Sequence, residues 1–313
     1  MFEDLKKVIE KSQKVGIFTH ENPDGDALGS SFSMLLALRQ MGKEARVFLG
    51  GFDMKTKEAQ LVFGKDKMSD ISVDDCDTLI ALDCADYGRI SAPEKEKCEI
   101  SAAIDHHITH KPYAKVTCAP DAPAAGQVVF ELLKDMKVSI TPDIASNLYM
   151  AIACDTGNFK YAATTPKTHR IAAELIESGA EFAMISREIF YKKSAAYFKL
   201  LQKALTSLEF FENGKIAVLY LSKEDFDKAG LTEEQSGDIV TVPNRVEGVE
   251  CGVFIRNRDN GFKVSLRSSE YTDVSKIAEA FGGGGHIRAA GFSSNLPLDE
   301  LKAEILKGLS AAL

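Results

Sequence analysis

This sequence predicts an α/β protein: a mainly parallel sheet with helices on both faces, followed by a smaller α/β domain with a mixed sheet. Three observations carry the expectation. Short apolar runs alternate with helix-period segments through the first 190 residues, the mark of strands linked by helical crossovers. Beyond residue 211 the pattern changes to strands that include a hairpin. The length of 313 residues is enough for two separate hydrophobic cores.

Met1-Phe2-Glu3-Asp4-Leu5 begins an amphipathic helix. Val15–His20 reads as a buried strand, then a loop, then a helix with apolar residues at Leu28, Phe32, Leu35, Leu36 and Leu38. Further strands are expected at Ala45–Leu49, Thr78–Asp83 and Ser101–Asp105, and helices at about 125–136, 142–153, 166–178 and 182–191. The stretch 192–211 carries helical periodicity and no strand signal, so the expected division is a domain over 1–190, a helical connector over 191–211 and a second domain over 212–313. In the latter, strands are predicted at Lys215–Leu221, Val249–Arg256 and Phe262–Arg267, the last two joined at Asp259-Asn260-Gly261. A helix near Val274–Phe281, four glycines at 282–285 and a helix near Leu298–Leu309 follow. A cleft between the two domains is the natural expectation.

Bulk composition narrows the function. A net charge of −8 and 27% charged residues describe an ordinary globular protein and argue against long duplex nucleic acid, whose partners usually show a basic surface. A small anionic substrate remains compatible, because bound cations reverse the field inside one cleft. The cysteines Cys76, Cys84, Cys98, Cys118, Cys154 and Cys251 form no Cys-x-x-Cys pair and read as small buried thiols of a reducing compartment. There is no signal-peptide block and no apolar run of membrane-spanning length, so the expectation is a cytoplasmic protein without a membrane partner.

The densest chemical signal is His20-Glu21-Asn22-Pro23-Asp24-Gly25-Asp26, in the turn between the first strand and its helix. Alone, those aspartates could simply cap the helix. Other segments weigh against so plain a role. Asp83 ends one apolar strand and Asp105-His106-His107 ends another, and ligands bind at the carboxyl edge of open parallel sheets. Asp155 closes an otherwise apolar helical stretch, where an unpaired carboxylate is costly. Carboxylates mixed with imidazoles suit Mn²⁺, with Mg²⁺, Fe²⁺ and Co²⁺ as competitors. Asp24, Asp26, Asp83 and Asp155 bring four negative charges, which two divalent ions would neutralise. Two such ions can share a hydroxide and clamp a phosphoryl oxygen.

Together these motifs resemble the DHH phosphoesterase superfamily, and the Gly-Gly-Gly-Gly-His run at 282–286 resembles the signature of the DHH-associated C-terminal domain. Length and domain order are most similar to the bifunctional oligoribonuclease/pAp-phosphatase branch. The resemblance implies that His20, Asp24 and Asp83 hold one metal and that Asp26, His106 and Asp155 hold the second, with Asp83 bridging. It implies that His107 faces the scissile phosphate. Asp105 either joins it in the chemistry or orients the adjacent histidines.

In the second domain, glycine amides can approach an anion closely. Gly283, Gly284, Gly285, His286, Arg267, Ser268 and Arg256 are the expected phosphate or terminal-nucleotide contacts, with Arg288 a further candidate. The substrate expected is a short oligoribonucleotide of about two to five units, a length the contacts within one cleft would favour. 3′-Phosphoadenosine 5′-phosphate (pAp), hydrolysed to AMP, is expected as a further substrate, and a homodimer is an allowed assembly. A phosphodiesterase of cyclic di-AMP or linear pApA is the nearest alternative. A manganese pyrophosphatase lacks the glycine-histidine run, and a RecJ-like exonuclease needs further nucleic-acid-binding domains. A non-enzymatic metal or nucleotide sensor would not need the intact ligand set.

Overall fold

The computed structural model describes residues 2–91 and 99–313; the Cys98 thiol lies outside the described residues. The chain forms two compact units, Met1–Lys192 and Lys193–Leu313.

The first unit is built on five parallel strands: β1 (Lys14–Phe18), β2 (Glu44–Phe48), β3 (Thr78–Leu82), β4 (Ala102–Ile104) and β5 (Val116–Cys118), in the order β2-β1-β3-β4-β5. The short β5 has no alternation or continuous apolar run to predict it. On one face Ile17, Ile80, Leu82 and Ile104 share a core with three helices, α2 (Gly25–Gln40), α4 (Ala125–Asp135) and α5 (Pro142–Asp155). On the other, Phe18, Leu79, Ala81 and Ala103 are closed over by Val73, Ile90 and Ile100 from the segments between strands. α1 (Glu3–Lys11), α3 (Lys57–Leu61), α6 (Pro166–Glu177) and α7 (Phe182–Ser186) complete the unit, and one π-helical turn, Arg187–Tyr191, extends α7. β1 and β3 are neighbours whose onward connections leave in opposite directions, the switch point at whose carboxyl edge open α/β sheets bind ligands.

The second unit corrects two readings. Helix α8 (Ala195–Thr206) is no connector: Tyr197, Leu200 and Ala204 pack against Leu219, Phe226 and Phe254 of the unit's own core. The segment expected to be wholly helical ends in a strand, β6 (Glu209–Phe211). The mixed sheet runs β10-β11-β9-β8-β7-β6, where β7 is Ile216–Leu221, β8 Cys251–Arg258, β9 Gly261–Ser268, β10 Gly284–His286 and β11 Ala289–Ser294. Only β7 and β8 pair in parallel. β10 and β11 went unpredicted because glycine, alanine and serine dominate them and no apolar alternation shows. Helices α9 (Lys223–Ala229), α10 (Val274–Ala280) and α11 (Leu298–Ala312) complete this unit, and α10 and α11 bury Val274, Ala278, Leu301 and Ile305 against the sheet. Among the described residues no helix is long and apolar enough to cross a membrane.

Candidate metal centre

All six predicted ligands converge at the carboxyl edge of the parallel sheet. His20, Asp24 and Asp83 offer ligand atoms within 4.8 Å of one another, and so do Asp26, His106 and Asp155. Asp83, His106 and His107 form a third such group, so Asp83 and His106 each join two groups.

The backbone explains the convergence. Asp24 is the N-cap of α2 and its Oδ1 accepts the amides of Asp26 and Ala27 at 2.9 and 3.1 Å, so the capping role is real and coexists with the cluster. Gly25 follows because a Cβ there would lie 2.2 Å from Cys154 Sγ; only glycine lets α2 begin against the end of α5, where Asp155 sits. Asp26 is fully buried. Its two oxygens accept the amides of Ala125 and Gly126 at 2.6 and 2.8 Å, capping α4, whose own N-cap, Ala124, has no side chain to do so. Asp83 follows β3 in the left-handed region, at φ 51°, a conformation that costs an L-residue about 1 kcal/mol and is best tolerated by Asp and Asn.

Both histidines of the expected ligand set are held the same way. His20 donates Nδ1–H to the Glu21 carbonyl at 2.8 Å and His106 donates to the Ala122 carbonyl at 3.2 Å. That fixes the tautomer and leaves each Nε2 lone pair facing carboxylates. His106 Nε2 lies 3.0 Å from Asp155 Oδ2, 3.4 Å from Asp83 Oδ1 and 3.7 Å from Asp26 Oδ2. A lone pair ringed by three carboxylates is repulsive unless a cation or a proton sits among them. Asp155 adds to the demand, since a carboxylate at a helix C-terminus meets the negative end of the dipole. Asp83 Oδ1 is buried and has no hydrogen-bond partner among the described residues. The donor set therefore fits divalent metal.

Protonation follows the same electrostatics. Burial alone would lower His106, but the Asp155 and Asp83 carboxylates outweigh it and raise the imidazole to about 11. Burial, then the charges of Asp83 and Asp155, push the Asp26 carboxyl well above its usual range. Burial works to raise Asp83 too, yet His106 and His20 outweigh it and hold that carboxyl below the usual range.

His107 is one-third exposed and donates its Nδ1–H to Asp105 Oδ1 at 2.7 Å. Of the two roles open to Asp105, its contacts match the orienting one. It is fully buried, and its second oxygen is taken by His110 Nδ1 at 2.6 Å. Nothing in the sequence drew attention to His110 beyond a third histidine close behind the Asp105-His106-His107 triplet.

In the second unit, β-pairing aligns His286 with Ala289 and Ala289 with Arg267, so the His286 and Arg267 side chains share one face of the sheet. Ser268 donates its hydroxyl to the Thr272 carbonyl at 2.6 Å, beside Arg288 Nη1, which bonds the same carbonyl at 2.8 Å. The turn after Arg267 is held by Glu250, whose buried carboxylate accepts the amides of Glu270, Tyr271 and Thr272. This anchor has no local sequence signature.

The glycine run is less of an anion cradle than expected. The amides of Gly282 and Gly283 bond the Glu279 and Ala278 carbonyls and close α10. Gly283 and Gly285 are glycines because a Cβ would meet the Gly291 carbonyl at 2.3 Å and the Ala289 carbonyl at 2.5 Å. Gly284, in contrast, has open space above it. Arg256 leaves the predicted set altogether. It is buried over the Phe254 ring, 3.6 Å from Glu233 and 2.5 Å from Ser265 Oγ, four residues along β8 from Gly252, the partner of Arg267.

Comparison with known proteins agrees with this architecture. Residues 14–152 match the DHH family N-terminal domain and residues 213–313 match the DHHA1 domain. A relative from Thermus thermophilus, named bifunctional oligoribonuclease and PAP phosphatase NrnA, is 34% identical over 302 residues, covering 95% of this chain and 89% of its own. Among solved structures, an exopolyphosphatase-related protein from Bacteroides fragilis superposes with a TM-score of 0.84 at 23% identity, covering 99% of this chain and 95% of that one. Exonuclease RecJ bound to manganese superposes at 0.52 with 15% identity, covering 99% and 93%; both likenesses are of fold. The chain belongs to the DHH family of phosphoesterases, with a DHHA1 domain in its second unit.

Proposed function

We propose that the protein hydrolyses short oligoribonucleotides of about two to five units to mononucleotides, and pAp to AMP, using two divalent ions, Mn²⁺ foremost. The observation that carries the reading is the His106 Nε2 lone pair among three carboxylates. The relative of 34% identity, whose name joins oligoribonuclease to PAP phosphatase, supports the substrate class. His20, Asp24 and Asp83 would hold one ion and Asp26, His106 and Asp155 the other, with Asp83 shared. When bound, such a pair supplies a hydroxide nucleophile at neutral pH and neutralises charge on the phosphoryl oxygens.

The chain's own groups do the rest. His107, its Nδ1–H on Asp105, presents Nε2 to the ester. The hydrogen bond to Asp105 outweighs partial burial and raises the imidazole above its ordinary range, which suits a proton donor to the leaving oxygen. In the second unit, Arg267, His286 and the open backbone at Gly284 are the groups suited to a phosphate or a terminal nucleotide.

Two measurements test this division. Arg267→Ala and His286→Ala are expected to raise KM roughly tenfold or more, the worth of a hydrogen bond to a charged group, with bound metal and kcat little changed. Loss of metal from either variant contradicts it. Across oligonucleotides from two to about twenty-four units, kcat/KM is expected to be highest for the shortest and for pAp, and pyrophosphate to be poor. Each added unit brings charge to a chain of net charge −8 and gains few new contacts. A flat profile, or preference for the longest strand, favours a RecJ-like exonuclease instead.

A further inference from the structure

We propose that His110 is a positioning residue for the hydrolysis, holding His107 in its working orientation and tautomer through Asp105. The proposal rests on the reading of His107 as the residue that meets the ester.

Asp105 is fully buried at the end of β4, and each of its oxygens receives one imidazole: His107 Nδ1 at 2.7 Å and His110 Nδ1 at 2.6 Å. The carboxylate is thus clamped between two rings. Without His110, one oxygen of a buried carboxylate would lose its donor and the group could rotate away from His107, which would lose its restraint in turn.

His110 is built for this contact. Its side chain is 7% exposed, and its Nε2 is buried with no hydrogen-bond partner among the described residues. Nδ1 is therefore the polar atom it uses, and the hydrogen it carries is the one given to Asp105. A residue present only to fill space would not leave a polar nitrogen buried in that way.

The surroundings fix the ring firmly. The His110 amide bonds the His107 carbonyl at 3.1 Å, closing the turn between the two histidines. The ring packs on Tyr113, centroids 5.5 Å apart, and Tyr113 Oη donates to the Cys84 carbonyl at 2.8 Å. The Lys111 amide bonds the Ala85 carbonyl at 2.9 Å. The turn that carries His110 is therefore anchored to the backbone just beyond Asp83, so Asp105 is referenced to the same edge of the sheet as the metal cluster.

Two substitutions separate the hydrogen bond from packing. His110→Phe keeps a ring against Tyr113 and removes the donor; His110→Asn loses the ring and keeps an N–H close to the Nδ1 position. With pAp as substrate and saturating Mn²⁺, His110→Phe is expected to lower kcat by about 10- to 100-fold, as loss of a supporting hydrogen bond does, with KM and bound manganese unchanged. His110→Asn should retain most of the activity. Wild-type kcat in the Phe variant, or an Asn variant as impaired as the Phe variant, overturns the proposal. Because either variant could fold poorly, His110→Ala is also compared in the wild-type and His107→Ala backgrounds. Positioning through His107 requires that it cost nothing further once His107 is gone, and an undiminished cost overturns the proposal. His107→Ala alone distinguishes the two levels. Wild-type kcat there removes the underlying assignment and the proposal with it. A lowered kcat beside an unaffected His110→Phe removes only the positioning role.

Discussion

Asp83→Asn is expected to abolish hydrolysis and leave a folded protein. Asp83 is the carboxylate that joins the group of His20 and Asp24 to that of His106, and it is almost completely buried. Replacing one oxygen by an amide removes the negative charge at the point both ions would share. Asparagine is the right substitute, since it tolerates the left-handed backbone at φ 51° almost as well as aspartate and keeps the side-chain volume. A lost transition-state contact of this kind costs about 3–4 kcal/mol, and a rate roughly a hundred- to a thousandfold lower follows. Turnover and bound manganese are to be measured together with circular dichroism. Near wild-type turnover in Mn²⁺ would show that Asp83 bridges nothing.

The cluster of carboxylates and imidazoles was legible because its residues sit where two strong local patterns meet. A strand ending in Asp or His announces itself by the apolar run before it, as in Thr78–Asp83, and the rule that ligands gather at the carboxyl edge needs no tertiary information. Asp155 was legible as a charge at the end of an apolar helix. Partners that act across the chain were not. Asp26 caps a helix about a hundred residues away, and Glu250 holds a turn some twenty residues on, through amides that every sequence possesses. Arg256 shows the opposite failure. An arginine on a strand looks like an anion contact, and only the tertiary fold reveals that it lies buried against Glu233, Ser265 and Phe254. β10 and β11 were missed because backbone pairing, rather than side-chain pattern, makes them strands.

Removing divalent metal is expected to lower the melting temperature of the first unit, and by more at higher pH. The sign follows from the two groups whose shifts are largest in the metal-free cluster. The His106 imidazole is raised to about 11 from an ordinary 6.5, so its contribution to folding is complete below 6.5 and is lost as pH rises toward 11. The Asp26 carboxyl is also raised, which means that the unfolded chain ionises more readily and the metal-free fold loses stability as pH climbs above about 4. His106 thus weakens the metal-free protein across the whole range from pH 5.5 to 8.5, and Asp26 acts in the same direction. Metal acts in the opposite direction, because it takes the place of those protons and binds more tightly as they leave. At a thousand times its dissociation constant a ligand stabilises by about 4 kcal/mol, worth roughly 10 °C for a unit of this size. Thermal unfolding with Mn²⁺ and with chelator, compared at pH 5.5, 7.0 and 8.5, reads the effect directly. The gap between the two curves should widen at each step. A gap that stayed constant would mean that metal displaces no proton from His106 or Asp26, and no gap at all would mean that the cluster does not hold metal.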